Sequence, residues 1–396
     1  MPKQFLIIQT AFLGDAVLAT GLAEKLHAWY PDAAIDLVVR KGNDGLFKGH
    51  PFLRKLHVWD KGQGKNRDLF RLVHAFRRQQ YDHVINAQRF FSTGLMAVLS
   101  GGKETIGYDK NPLSLFFSRR VKHEIPDWRV LRGKAAGTGV HEMDRLNALI
   151  EHLTDGKRPL PRLYPSQADR AQVAGLLGSQ GPEAETLREQ YTRTPAGSLA
   201  EDPADIPPQG PEAETLRERS GAETLREQSG TRTLREQQYI TIAPASVWYT
   251  KQWPAGKWIE LIQLLPPEQR VLLNGAPGDV TLCDHIAKEA GRGEVLAGKL
   301  SLLATAALME GAIMNYVNDS APLHIASAMN APVTAIFCST VPAFGFGPLR
   351  PNGRIVQREE TLYCRPCGLH GHKACPEGHF KCALEVLPTQ LAAPMP

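Results

Sequence analysis

The chain has 396 residues, 42% of them hydrophobic and 22% charged, with a formal net charge of +5. That length supports two ordinary domains with apolar cores. The charge suits phosphorylated ligands or an anionic surface and is too weak to indicate nucleic acid; no nucleic-acid motif is present and no apolar run reaches the roughly 18 residues of a membrane span.

The N-terminus, MPKQFLIIQTAFLGD, starts like a secretory signal. Its apolar run is only about five residues long and an acid follows at once, so it reads as a first strand, and the expected compartment is the cytoplasm. FLIIQ (5–9) has the composition of a buried strand, and DAVLATGLAEKLHAWY (15–30) places Leu18, Leu22, Leu26 and Trp29 on one helical stripe. IDLVV (35–39), KLHVW (55–59), DHVIN (82–86) and ETIGY (104–108) are further strand-like runs with helical patterns between several of them. The rhythm restarts after residue 238 with YITIAP, RVLLNG, EVLAG, AIMNYVN, PVTAIF and RIVQ. Such alternation predicts parallel sheets wound with helices on both faces, hence two α/β domains of similar design and a cleft between them. The expected division is 1–174, 175–238 and 239–396.

The middle segment differs from both flanks. GPEAETLRE occurs at 181–189 and again at 210–218, AETLRE recurs at 222–227 and TLRE at 233–236. Rich in Glu, Arg, Gly and Pro, it lacks the apolar surface to fold alone and reads as a flexible insertion. The copies are too short and unevenly spaced for a solenoid. A surface loop is the plain use; a partner-docking arm is the other.

Four turns carry polar residues at expected strand ends. TAFLGDAVLATG follows the first strand; Gly14 permits a tight turn or close approach, and Asp15 is either a helix cap or a base at the cleft mouth. In PASVWYTKQWPAGKW (244–258), Lys251 can set an ammonium against a diphosphate, or lie solvated beside a core Trp253. LLNGAPGD (272–279) ends in Asp279, a candidate ribose contact. NDSAPLH (318–324) joins two apolar runs. Asp319 or Ser320 can cap the next helix, Pro322 suits its first turn, and the helix start is a ready phosphate site toward which His324 can point. The plain alternative is two ordinary caps and a surface histidine.

Together, the LGD turn near the N-terminus, the TKxWP stretch and the NDS-x-P-x-H turn resemble the ADP-heptose:lipopolysaccharide heptosyltransferases, glycosyltransferase family 9, over most of the chain except about 175–238. The resemblance implies a GT-B fold, α/β with two Rossmann-like doubly wound domains facing a central cleft. It also implies an ADP-heptose donor held by the C-terminal domain, a lipid A–core acceptor across the N-terminal domain, and no cofactor for catalysis. Residue by residue, Asp15 matches the proposed catalytic base, Lys251 a lysine near the donor phosphates, and Asp319, Ser320 and His324 the donor-phosphate turn. Asp279 matches an acidic ribose contact. Two positions depart from the pattern: Ala321 replaces a glycine, which would strain a positive φ, and Gly21 stands where many members carry proline.

CRPCGLHGHKACPEGHFKC places Cys364, Cys367, Cys375 and Cys382 among His370, His372 and His379. In a cytoplasmic protein such a cluster reads as reduced thiols, as a structural zinc site or, least readily, as disulfides. The resemblance, which extends to a Cys-rich tail in heptosyltransferase II-like members, does not imply zinc. Cys283 and Cys338 lie in apolar surroundings and read as buried thiols. The basic residues Arg67, Arg71, Arg77, Arg78, Arg119, Arg120 and Lys122 are candidates for acceptor phosphates or for peripheral contact with the cytoplasmic face of the inner membrane, or are scattered solvated charges. The expected function is inverting heptosyl transfer with Asp15 as base. The rivals are another GT-B nucleotide-sugar enzyme with a different donor or acceptor, and a non-enzymatic zinc-binding scaffold.

Overall fold

A computed structural model describes residues 2–392 other than 63, 135, 136, 138, 179–237, 350 and 352. The described residues of Met1–Val173 and Tyr239–Pro396 form one compact unit. Of the expected flexible insertion 175–238, residues 179–237, with the repeats, lie outside the described residues, and 175–178 complete a helix, Gln167–Gly178, instead of starting a loop.

Twelve strands are described, all in parallel pairs: β1 (Gln4–Ile8), β2 (Ala34–Arg40), β3 (Leu53–Trp59), β4 (His83–Asn86), β5 (Glu104–Tyr108), β6 (Arg119–Val121), β7 (Tyr239–Ala243), β8 (Arg270–Leu273), β9 (Glu294–Val295), β10 (Met314–Asn318), β11 (Val333–Phe337) and β12 (Gly353–Gln357). They form two six-stranded sheets, ordered β3-β2-β1-β4-β5-β6 and β12-β11-β10-β7-β8-β9. Read from its β9 edge, the second sheet has the same permutation as the first. Each is a doubly wound sheet whose order reverses once, beside β1 in the first and beside β7 in the second, and that reversal opens a crevice at the carboxyl ends of the strands.

The helices that place the site are α1 (Leu13–Trp29), α2 (Lys65–Gln79), α3 (Phe91–Leu99), α4 (Glu142–Ile150), α5 (Ala255–Leu264), α6 (Val280–Ala290), α7 (Leu302–Gly311) and α8 (Ala321–Ala328). Strand burial follows the two-residue alternation of a sheet covered on both faces. Phe5 and Ile7 enter the core beneath α1, whereas Leu6 and Ile8 join Leu69, Leu72 and Phe76 of α2 on the other face. In the second sheet Ile240 and Ile242 pack with Trp253, Trp258 and Leu261. The core beneath α1 continues into the C-terminal half through Leu323, Ile325 and Ala326, because α1 packs directly on α8. The two helices that follow β1 and β10 therefore meet where their polar starts face one cleft.

Three expectations are corrected. Trp29 is 48% exposed and leaves the stripe of Leu18, Leu22 and Leu26, all fully buried, because α1 runs out at the sheet margin. EVLAG supplies only a two-residue edge strand. β6, carrying two arginines on an edge, was not anticipated, since an edge strand does not need an apolar run. Gly21 has a packing reason: a Cβ there would sit 2.4 Å from Met143 Cε and 3.3 Å from the Leu160–Pro161 backbone.

Candidate active site

At the end of β1 the chain turns into α1 through Phe12, which holds the N-cap position without a side-chain cap. Asp15 is thus the third helical residue and not the cap. Its carboxyl faces the cleft, half-buried, and is raised from 3.8 to about 7. Burial is the main cause, because the charged form loses its hydration, and the Glu142 carboxylate adds repulsion. The Phe12 and Asp15 amides and the Lys251 ammonium act in the opposite sense. Glu142 opens α4 and is itself buried, held by Arg145 at 2.6 Å. Gly14 matters by its size. A Cβ there would lie 2.7 Å from the His324 ring, so glycine lets the start of α1 abut the start of α8.

The opposite wall is the turn from β10 into α8. The Asn318 side chain, buried, accepts from the Trp253 amide at 2.9 Å and donates to the Pro244 carbonyl at 2.8 Å, tying this turn to the one after β7. Asp319 is 5% exposed; its Oδ2 accepts from the Thr340 hydroxyl at 2.6 Å and pairs with Lys251 Nζ at 2.7 Å. Ser320 occupies the N-cap, but its hydroxyl donates to the Asn318 carbonyl at 3.4 Å and caps nothing, while Pro322 lies in the first turn. Pro322 has no amide hydrogen and the Leu323 amide donates to the Ser320 carbonyl at 3.1 Å, so the amides without a partner among the described residues are those of Ser320 and Ala321, which line the cleft at the positive end of α8. Ala321 is the first helical residue, and it is not among the positive-φ positions, so the strain expected of it is absent.

His324 is no surface residue. It is 5% exposed, burial lowers its pKa to about 4, and its Nδ1 has no hydrogen-bond partner among the described residues. It meets the cleft as a neutral ring able to accept or donate one hydrogen bond.

These groups share a cleft of about 340 Å³, lined by Asp15, Lys251, Asp319, Ser320 and His324, with Arg40 and Asn43 on the N-terminal side and Leu369 and His370 on the other. That volume falls at the small end of the range for ligand pockets. Asp279 does not line it. Its carboxylate accepts from the Ala276 amide at 2.8 Å, closing the turn after β8. Among the seven basic candidates, Arg71 pairs with Asp68, Arg119 with Glu104 and Lys122 with Glu124, and Arg77 donates to the Leu99 carbonyl. They are divided between α2 and the β6 edge with the residue after it.

The cysteine segment folds against this wall. Cys364 and Cys382 are buried beside Phe380 in the C-terminal core, with Cys375 packed at its margin. Burial and the neighbouring thiols push Cys367 up to about 11 and Cys382 up to about 12, so both are protonated. All six thiols are free, and among the described residues no three acidic, histidine or cysteine side chains are grouped so as to hold a metal ion. Sequence reasoning missed Thr340 and Glu142, and it placed His370 in the cysteine cluster and not at the cleft. Only Thr340 left a trace, as a hydroxyl at the end of the apolar run VTAIFC.

Two doubly wound parallel sheets that share one cleft, with a raised carboxyl on one wall and the start of α8 on the other, have the architecture of the GT-B fold. Residues 194–378 match the profile of glycosyltransferase family 9 (heptosyltransferase). Lipopolysaccharide heptosyltransferase 3 of Escherichia coli is 22% identical over 339 residues, covering 83% of this chain and 82% of its own. Among solved structures, the family 9 glycosyl transferase of Veillonella parvula superposes with a TM-score of 0.68 at 18% identity, covering 98% of this chain and 95% of its own. The Escherichia coli ADP-heptose lps heptosyltransferase II gives 0.62 at 18% identity, covering 98% and 100%. Among the described residues no helix is long and apolar enough to cross a membrane.

Proposed function

We propose that the chain transfers heptose from ADP-heptose to a lipopolysaccharide inner-core acceptor with inversion, Asp15 acting as general base. The observation that carries this reading is the facing of Asp15 and the Lys251–Asp319–Ser320 turn across one cleft, each at the end of a strand beside its sheet's reversal point. The names of the Escherichia coli relatives supply the donor and the acceptor class.

The Asp15 carboxylate takes the proton of the acceptor hydroxyl as its oxygen attacks the anomeric carbon. The bond to the β-phosphate oxygen breaks on the opposite face, and ADP leaves with the electron pair. A pKa of about 7 suits the base, since it is ionised in a useful fraction near neutrality yet more basic than an ordinary aspartate. Lys251 and the free amides at the start of α8 stabilise the charge that develops on the diphosphate, and neutral His324 adds a hydrogen bond without adding charge. No step requires a cofactor. Asp279 is assigned a ribose contact only through movement of the turn after β8, because its carboxylate is engaged there.

The acceptor reading includes peripheral contact with an anionic inner membrane. It is supported by Phe90, Phe91, Leu115 and Phe116, all more than half exposed in the segments that follow β4 and β5, each of which also carries a cation, Arg89 in the first and Lys110 in the second. For the cysteines, protonated packed thiols are favoured over a structural zinc by their place in the apolar core. Metal analysis of the purified chain separates the two, and one zinc per chain would establish the metal. The domain division 1–174, 175–238 and 239–396 is part of the same reading and is tested by limited proteolysis.

The deciding experiment is ADP release from ADP-heptose with and without a heptose-deficient lipopolysaccharide core. Release that depends on acceptor is the expected result. ADP release equal with and without acceptor, or none from ADP-heptose beside turnover of another nucleotide-sugar, overturns the assignment.

A further inference from the structure

The cysteine-bearing segment brings a buried cation to the back of the donor wall. Arg365 is 9% exposed, and no carboxylate lies within ion-pair distance of it among the described residues. Its guanidinium instead grips backbone. Nη2 donates to the Thr340 carbonyl at 2.7 Å, to the Phe337 carbonyl at 3.1 Å and to Gln357 Oε1 at 2.8 Å, and Nε donates to the Thr340 carbonyl at 3.2 Å. Two of those groups hold the strand end of β11, and Thr340 is the residue whose hydroxyl fixes Asp319 Oδ2, the oxygen that also pairs with Lys251.

The same segment grips the other side of the site. The His372 amide donates to Thr250 Oγ1 at 2.8 Å, and the Thr250 amide donates back to the His372 carbonyl at 3.1 Å, beside Lys251 in sequence. The Cys367 amide donates to the Ser339 carbonyl at 3.1 Å, and the Ser339 hydroxyl donates to Thr250 Oγ1 at 3.0 Å. The turns after β7 and β11 are therefore clamped together from behind by one loop.

A buried guanidinium without a counter-ion is costly, and neutral side chains could fill the space at lower cost. Its planar fork, however, can hold two carbonyls in fixed relation, as a lysine ammonium cannot. We propose that Arg365 is a positioning residue for the donor diphosphate. It fixes Thr340, Thr340 orients Asp319, and Asp319 holds Lys251 at the cleft wall where the diphosphate must arrive. Arg365 itself touches neither substrate. The inference rests on the donor reading given above.

The test is calorimetric binding of ADP to the full chain, wild type beside Arg365→Lys and Thr340→Val, with steady-state KM values for donor and acceptor. Thermal melts monitored by circular dichroism check that each variant is folded. Thr340→Val keeps the carbonyl that Arg365 grips and removes only the hydroxyl, so it serves even where the arginine variant unfolds. Both variants are expected to weaken ADP binding and raise donor KM by tenfold or more, with acceptor KM unchanged. The double variant is expected to be no weaker than the worse single one, because both act through Asp319. Folded variants that bind ADP within twofold of wild type overturn the positioning role and leave the donor reading standing. A parallel rise in acceptor KM, or fully additive losses, also overturns it by indicating general loosening. A wild-type chain that binds no ADP removes the donor reading, and this inference falls with it.

Discussion

Replacing Asp15 by Asn should make the protein more stable and far less active, and the two effects should separate with pH. Folding raises this carboxyl from 3.8 to about 7, chiefly because burial strips water from the charged form. The unfolded chain therefore releases the proton first. The contribution of this group is most favourable below pH 4, is lost progressively as pH rises toward 7, and stays lost above it. The difference corresponds to about 4 kcal/mol at pH 8, an upper bound because Asp15 faces the cleft and is partly solvated. Asparagine keeps the shape and cannot ionise. We expect Asp15→Asn to raise unfolding free energy by roughly 1–4 kcal/mol at pH 8 and by at most about 0.5 kcal/mol at pH 4. Acceptor-dependent ADP release should fall by roughly 10²–10⁴-fold, the usual worth of a general base, with ADP affinity nearly unchanged. Urea unfolding at the two pH values and a coupled ADP assay measure both arms. A variant equally destabilised at pH 4 and pH 8 would show that the carboxylate is held by favourable contacts, and near-normal turnover would remove it from the chemistry.

Three further outcomes follow from neighbouring geometry. In the wild type, kcat/KM should rise with pH through about 7 as Asp15 ionises, and Glu142→Gln, which removes the repelling charge beside it, should move that limb to lower pH; a pH–rate profile of each shows it. His50 is enclosed by Phe52 and Tyr164, neither ring nitrogen has a hydrogen-bond partner among the described residues, and burial lowers its pKa to about 4. Its contribution falls as pH drops below 6.5, so His50→Phe should gain about 2 kcal/mol more at pH 5 than at pH 7 in urea unfolding; an equal gain at both would contradict the depressed pKa. Gly21→Ala should lose about 1 kcal/mol despite alanine's better helix propensity, because the new methyl meets Met143 and the Leu160–Pro161 backbone, and pairing it with Met143→Ala should reduce the coupled loss in a double-mutant cycle.

Where apolar period and turn chemistry agree, the chain is legible. FLIIQ, IDLVV, YITIA and PVTAIF are short β-branched runs ending at polar turns, and each lies in the interior of a parallel sheet. The polar crowding in NDSAPLH was readable as a helix start because its hydroxyl, acid and proline sit around one first turn. What could not be read is contact between distant segments. Nothing near Asp15 in the sequence announces Glu142, yet that carboxylate contributes to its raised pKa. Asp15 reads as a cap because aspartate prefers caps, but the backbone turns into helix earlier, at Phe12, so the acid falls inside the first turn and faces the cleft.

The cysteine segment shows the same limit from the other direction. Its spacing invites a metal reading, since four thiols and three histidines within nineteen residues look like ligands. In the folded chain the chemistry next to the site comes instead from a residue between two of the cysteines. Arg365 faces carbonyls at the end of β11, and the His372 backbone pairs with Thr250 at the end of the β7 turn. A spacing pattern records which side chains are available, whereas the strand order decides which backbone they meet. Because β7, β10 and β11 are adjacent in the second sheet, their carboxyl-end turns share one edge, and a loop packed behind that edge bonds directly to the turns after β7 and β11. A substitution of Arg365 that leaves the chain folded should therefore lower donor affinity, whereas a large side chain at buried Cys364 or Cys382 should lower stability.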